Sequence, residues 1–388
     1  MKSFPIKLLR FIILVMIGCL INACGNSDAT QEEEKAKINS EQKANIEQKE
    51  ESLMKDDTKE LEILPTIQSK SAAQNQIWVG TFQIVWNDLM DNITRGPVTF
   101  LEGDTPAMAE ELNKRSFTKD ALSENAYYTK WGEALPALKE EIEQAIKSKF
   151  GENSEVLEGL DWNVEPDVKK YVLYAMLKKD FQFVKKLDDK GKSLFRGSEQ
   201  EVSYFGADGD PSIGIQFYNN EDDFAVTLKT NQGDLVHLYR TNLQGKTLAE
   251  LYTQMKQEAQ SYTGNHDFEE TDLFKAPKLD FKSRCEFSEL YDKPIQNPDS
   301  PDGTKIGKAI ETVELEMDEA GAKIKSEAVI TENTGGFPDL IAVKERPSWR
   351  YFYVTGPYAL FIEEPGKQPY FAMYITDVAK LQSAGAKE

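Results

Sequence analysis

The chain has 388 residues and a formal net charge of −20, from 46 Lys and Arg against 66 Asp and Glu. So acidic a chain is poorly suited to neutralise a phosphate backbone, which argues against nucleic acid as a partner and suits a solvated surface or a basic protein partner. The two histidines lie far apart in the chain and the three cysteines do not complete a zinc set of the right spacing, and the fold must rest on a hydrophobic core rather than on disulfides.

Lys2, Lys7 and Arg10 precede an apolar run from Phe11 to Ile21, followed by Asn22-Ala23-Cys24. That pattern predicts a secretory signal over residues 1–23, too short to span a membrane stably. The cysteine at the break resembles a bacterial lipobox, with isoleucine in place of the usual leucine. The resemblance implies that Cys24 is acylated, as with palmitate, and anchors the mature protein on the extracytoplasmic face of the cell membrane. An ordinary signal peptide with an incidental cysteine is the other reading. Residues 24–72 hold Glu, Lys, Gln, Asn and Ser with few apolar side chains. They cannot bury enough surface to offset ordering entropy, and are expected to form a disordered acidic tether.

Residues 73–388 read as one folded domain. Asn75 to Met90, with apolar residues at 78, 82, 85, 86, 89 and 90, is predicted as a buried helix. Pro106–Leu112 and Ala134–Phe150 follow as helices, the second with late lysines that suit its dipole and Gly151 as its stop. Tyr171–Leu177 is a continuous apolar run and reads as a central strand. Val202–Leu228 reads as consecutive antiparallel strands split by Asp208-Gly209-Asp210-Pro211 and Asn219-Asn220-Glu221-Asp222, with Leu235–Tyr239 as another. Thr247 with Glu250 predicts a capping box on a short helix. Gln296–Gly303 is loop chemistry, and Ile306–Met317 alternates into the last quarter of the chain.

There, Ala322, Ile324, Ser326, Ala328 and Ile330 alternate with Lys323, Lys325, Glu327 and Val329, the pattern of a half-buried strand. Thr331 to Asp339, with Gly335 and Gly336, is turn chemistry. Phe352–Ile362 and Tyr370–Ile375 read as a strand pair apolar enough to be buried on both faces. A loop of residues 331–349 is thus expected between a sheet strand and a core hairpin.

This arrangement resembles the serpins. Phe352–Ile362 is similar to that family's Phe-x-Val-x-x-Pro-Phe-Leu-Phe-Phe-Ile strand, and Glu319-Ala320-Gly321 to its hinge. Ala276–Phe281 is similar to its Leu-Pro-Lys-Phe-Lys-Ile strand. The resemblance covers roughly residues 72–380. It implies an α+β fold with a large central, mostly antiparallel β-sheet, further sheets, flanking helices and an exposed loop near the C-terminus. It also implies that a protease cuts the loop, whereupon the hinge inserts as a new strand and traps the acyl-enzyme. The hinge residues are then Glu319, Gly321, Ala322, Ile324, Ser326 and Ala328, and the loop residues Gly335, Gly336 and Arg346. Two departures stand out. Lys323-Ile324-Lys325 replaces the family's run of small residues. Counting back from Pro357 places the family's cut at Arg346-Pro347, farther from Gly321 than the family spacing and before a proline.

Catalytic patterns are missing from the sequence. No Gly-x-Ser-x-Gly elbow, phosphate loop or dinucleotide fingerprint occurs. Asp208-Gly209-Asp210 lacks the rest of a calcium loop, and Glu363-Glu364 is unremarkable in so acidic a chain. Cys285 reads as a packed side chain rather than a reactive thiol. The expectation is therefore a monomeric, membrane-anchored protein without cofactor, metal or enzymatic activity. It binds a protein, with inhibition of a protease through residues 322–349 as the narrower case. The alternative is a solute- or polymer-binding lipoprotein unrelated to serpins, built as two similar lobes around a cleft.

Overall fold

The computed structural model describes residues 61–154, 156–162, 171–327 and 349–382. The expected signal, Cys24 and most of the expected tether lie outside them, as do Ala328, Gly335, Gly336 and Arg346.

Three sheets and a hairpin make up the α+β body. The largest sheet has seven strands: β1 (Leu61–Ile63), β2 (Asn75–Val79), β18 (Pro369–Ile375), β17 (Tyr358–Glu363), β9 (Leu235–Arg240), β8 (Asp223–Lys229) and β7 (Ile213–Asn220), in that spatial order. β1 and β2 run parallel and every other pair is antiparallel. Every residue of β17 and β18 is buried, as expected for a strand with both faces covered. A second sheet orders β16 (Tyr351–Tyr353), β10 (Leu273–Pro277), β6 (Glu201–Asp208) and β5 (Asp188–Leu194). The third, wholly antiparallel, orders β11 (Leu279–Glu286), β14 (Ile310–Met317), β15 (Gly321–Glu327), β4 (Tyr171–Gln182) and β3 (Tyr127–Glu133). Helix α1 (Thr81–Asn92) packs across β4 inside the main core. The short α2 (Ala107–Leu112) lies beside it. Helix α3 (Pro136–Phe150) covers the other face, closing a second core of Leu138, Ile142, Ile146, Tyr174, Met176 and Ile310. α4 (Leu248–Ser261) carries the expected capping box, with Thr247 Oγ1 accepting from the Glu250 amide at 3.1 Å.

Several expectations are corrected. The body begins before residue 73: Leu61–Ile63 pairs with Asn75–Ile77, and Ile63 and Leu64 are buried in the core. Asn75–Val79 is a strand, not the first turns of a helix. Its five residues are all buried, and the helical spacing starts only at Phe82. Gly80 stands between the two, where a Cβ would lie 2.1 Å from the Phe117 ring. Ala276–Phe281 is divided between two sheets at Pro277, which offers no amide to continue a ladder. Phe352–Ile362 is likewise two strands, broken at Thr355-Gly356-Pro357 where the Arg240 guanidinium donates to the Pro357 carbonyl at 2.6 Å. Gln296–Gly303 falls within a hairpin, β12 (Pro294–Asn297) and β13 (Ser300–Lys305). Its turn chemistry is real, since the Asp299 amide donates to Asn297 Oδ1 at 2.9 Å.

Ile324 is buried between β14 and β4, whereas its neighbour Lys323 is exposed. Ile324→Ala should therefore cost about 2–5 kcal/mol of unfolding free energy in urea. Lys323→Ala should stay within about 0.5 kcal/mol.

Candidate functional site

The hinge strand is built from both ends of its ladder. Asp318 Oδ1 accepts from the amides of Ala320 at 2.7 Å and Gly321 at 3.3 Å, which turns the chain from β14 into β15. Glu319 lies on that turn, 2.7 Å from Lys278 Nζ. Gly321 is required by close approach: a Cβ would meet the Phe181 carbonyl at 2.1 Å and Gln182 Cα at 2.7 Å. From there β15 runs between β14 and β4, with Ala322↔Met317 on one side and Ala322↔Phe181 on the other.

Alternation then sorts the side chains. Ala322, Ile324 and Ser326 are buried. Ser326 Oγ donates to the Thr312 carbonyl at 3.0 Å and accepts from Thr81 Oγ1 at 2.7 Å, which ties β15 to β14 and to the start of α1. On the outer face Lys323 meets Glu316 at 2.8 Å, and Lys325 meets Glu152 at 3.0 Å. The expected hinge residues Glu319, Gly321, Ala322, Ile324 and Ser326 therefore share one turn and one strand, already seated in the middle of a sheet. Ala328 and the loop positions Gly335, Gly336 and Arg346 fall outside the described residues.

The chain returns at Arg350, whose guanidinium grips the buried Asp272 carboxylate through Nη2 at 2.6 Å and Nε at 2.9 Å. It also donates to the carbonyls of Asn265 and Asp267. β16 then joins β10 in the second sheet. Residues 328–349 thus connect two different sheets, with a ladder at one root and a bidentate ion pair at the other.

Sequence reading missed the groups that lock this arrangement. Lys179, on β4, lies 2.8 Å from Asp234 and 2.7 Å from Glu364, and the Tyr370 hydroxyl donates to Asp234 at 3.0 Å. Glu364 also accepts from the Ser123 amide and hydroxyl and from Lys367. Its neighbour Glu363 meets His237 Nε2 at 3.2 Å, Lys256 Nζ at 2.9 Å and the Tyr252 hydroxyl. Burial pushes both carboxyls up. For Glu363, His237 with Tyr252 and Lys256 overcomes that; for Glu364, Lys179, Lys367 and Ser123 do, and each is held at about 2. Burial holds His237 below its ordinary value despite Glu363. A spacing signal for these contacts does not exist, because the partners lie far apart in the chain. Cys285 is half-buried in β11, its thiol pushed up to about 12 by burial and then by nearby carboxylates. Among the described residues no group of three His, Cys, Asp or Glu is placed to hold a metal ion, and no helix is long and apolar enough to cross a membrane.

No family model and no curated protein sequence matches the chain. Among solved structures it is similar to serpins. The mouse protein-Z dependent protease inhibitor is 13% identical with a TM-score of 0.48, covering 78% of this chain and 91% of that one. Serpin48 of the insect Tenebrio molitor is 14% identical with a TM-score of 0.42, covering 78% and 92%. The thermophilic serpin tengpin, in its latent state, is 13% identical with a TM-score of 0.43, covering 80% and 94%. The likeness is one of fold, and what the chain does rests on its own geometry.

The carboxylates give a pH test. Because their folded values lie below the ordinary 4.5, their contribution is complete above about 4.5 and is lost as pH falls toward about 2. Urea midpoints measured across that window should fall steadily. Lys179→Ala should cost about 3–5 kcal/mol at pH 7, since it strands two buried carboxylates. It should also flatten the part of the acid dependence that Glu364 supplies.

Proposed function

We propose that this chain is an extracytoplasmic lipoprotein, acylated at Cys24 and held on the cell membrane, that binds a protein partner through residues 328–349. Protease trapping is the narrower version of the same reading. The observation that carries the choice between them is the seat of β15. Trapping, as the serpin resemblance implies it, needs an unfilled slot for the cut hinge. Here Gly321–Glu327 already fills the sheet between β14 and β4. Beyond Glu327, β14 offers only Glu311 and Ile310, while β4 continues from Ala175 to Tyr171. A longer inserted strand would soon be paired on one side alone. Little stability remains to be gained by cutting the loop, which favours binding without trapping.

Two rooted ends and the turn-rich sequence between them support a presented binding segment. The solute-binding alternative requires two similar lobes around a cleft. The described residues instead form one unit with mostly antiparallel sheets.

A panel of serine and cysteine proteases tests the reading. Cleavage between Thr331 and Trp349 should leave no SDS-resistant covalent band, and the melting temperature should move by no more than about 4 °C, the scale of ~1 kcal/mol in a domain this large. A covalent band with a large rise in melting temperature would instead establish trapping. Photo-crosslinking from Phe337 on intact cells should give a discrete protein adduct that disappears when 331–347 is replaced by a Gly-Ser linker. Absence of any such adduct would overturn binding through this segment. Alkynyl-palmitate labelling lost in Cys24→Ala checks the anchor.

A further inference from the structure

Along β14 the inward side chains are Glu311, Val313, Leu315 and Met317, all buried. An acid among three core residues is out of place by the rule that buried charges are paired. Glu311 is fully buried, and it sits one residue past Thr312, the last described β14 partner of β15. Neither carboxyl oxygen closes a hydrogen bond with a described group.

Each element around it supplies a neutral or acidic neighbour. From the start of α1 the Phe82 amide and the Thr81 hydroxyl lie near enough to favour the anion, but neither meets the carboxylate in hydrogen-bond geometry, the hydroxyl being given to Ser326, and burial outweighs both. From β15 comes Ser326, bonded to that same hydroxyl. From β11 comes the Cys285 thiol, in register with Glu311. Around that thiol lie Glu286, Glu289 and Glu62 of β1. No described lysine, arginine or histidine forms an ion pair with Glu311. Burial therefore dominates, and the carboxyl is pushed up to about 8.

We propose that Glu311 is a proton-operated latch on the seam between β14 and β15. With its proton, the neutral carboxyl lies in the core against α1 and β15 stays seated. Without it, a buried anion lacking a cation drives the seam open at its nearest end, around Ser326 and the Thr81 contact, until water reaches the carboxylate. The latch stands apart from what residues 328–349 bind, since it concerns the sheet alone.

The sign follows from linkage. The closed sheet holds a proton that an opened or unfolded one releases between the ordinary 4.5 and about 8. The closed seam is therefore most favoured at low pH and loosens as pH rises across that window. Hydrogen exchange of the full chain at pH 6 and pH 8, corrected for intrinsic exchange, reads it directly. The opening constant of β15 amides should rise by about tenfold per pH unit, the response to one released proton. Amides of β17 and β18 should not change, and Glu311→Gln should abolish the rise. Equal behaviour of the wild type and Glu311→Gln, or all strands opening together, would overturn the proposal. Should the variant not fold, the wild-type infrared spectrum decides instead. A buried protonated-carboxyl band should be present at pH 6 and vanish above about pH 9, and its absence at pH 6 would equally overturn the latch.

Discussion

The third sheet exists as one piece because β15 pairs on both sides. Remove those seven residues and β11–β14 and β4–β3 become separate two-stranded ribbons, which are marginal alone in water. The strand holds its place through consistent local choices. Small or apolar residues enter the core, lysines stay outside with acidic partners, and a hydroxyl satisfies the one polar inward position. Each backbone bond adds little net stability. Their number on two edges, with the burial of Ala322 and Ile324, makes the seat firm. The same seat places α1 against β4 and β15, so helix and sheet are fixed together.

The second clamp shows why adjacent acids need not act together. Successive strand residues face opposite sides. Glu363, at the end of β17, accordingly serves the His237, Lys256 and Tyr252 network under α4. Glu364 turns to Lys179 and Ser123. A catalytic pair must face one shared space, and these two do not. Their role is to fasten the seven-stranded sheet to α4 on one hand and to β4 on the other. A buried ion network of this kind gains its stability only while complete.

Periodic patterns carried much of the fold in the sequence. The hinge alternation, the both-face burial of Tyr370–Ile375 and the Thr247 capping box are local properties, and local chemistry decided them. Two boundaries escaped for a shared reason. Val79-Gly80 and Gly356-Pro357 are breaks packed against distant side chains, Phe117 in one case and Arg240 in the other. No window of neighbouring residues contains that information. β3, with Tyr127, Tyr128, Thr129 and Trp131, is rich in strand formers, yet it sits at an edge with half-exposed side chains and lacks the contrast that marks a buried strand. Of the candidate site, the alternation of the strand was readable, while the Asp318 turn that starts it was not. Glu311 and Lys179 were not, since their significance lies in what surrounds them.

Register adds the final constraint on what β15 can do. A slip of one residue would turn Lys323 and Lys325 into the core and Ile324 outward. A slip of two restores the alternation but brings Lys323 or Glu319 to the position of Gly321. There the Phe181 carbonyl leaves no room even for a Cβ unless the β4 backbone moves. The glycine therefore pins the strand against sliding in either direction. Within the sheet, β15 cannot creep. Displacing this strand would therefore mean breaking its ladder on both edges together, not sliding it along them.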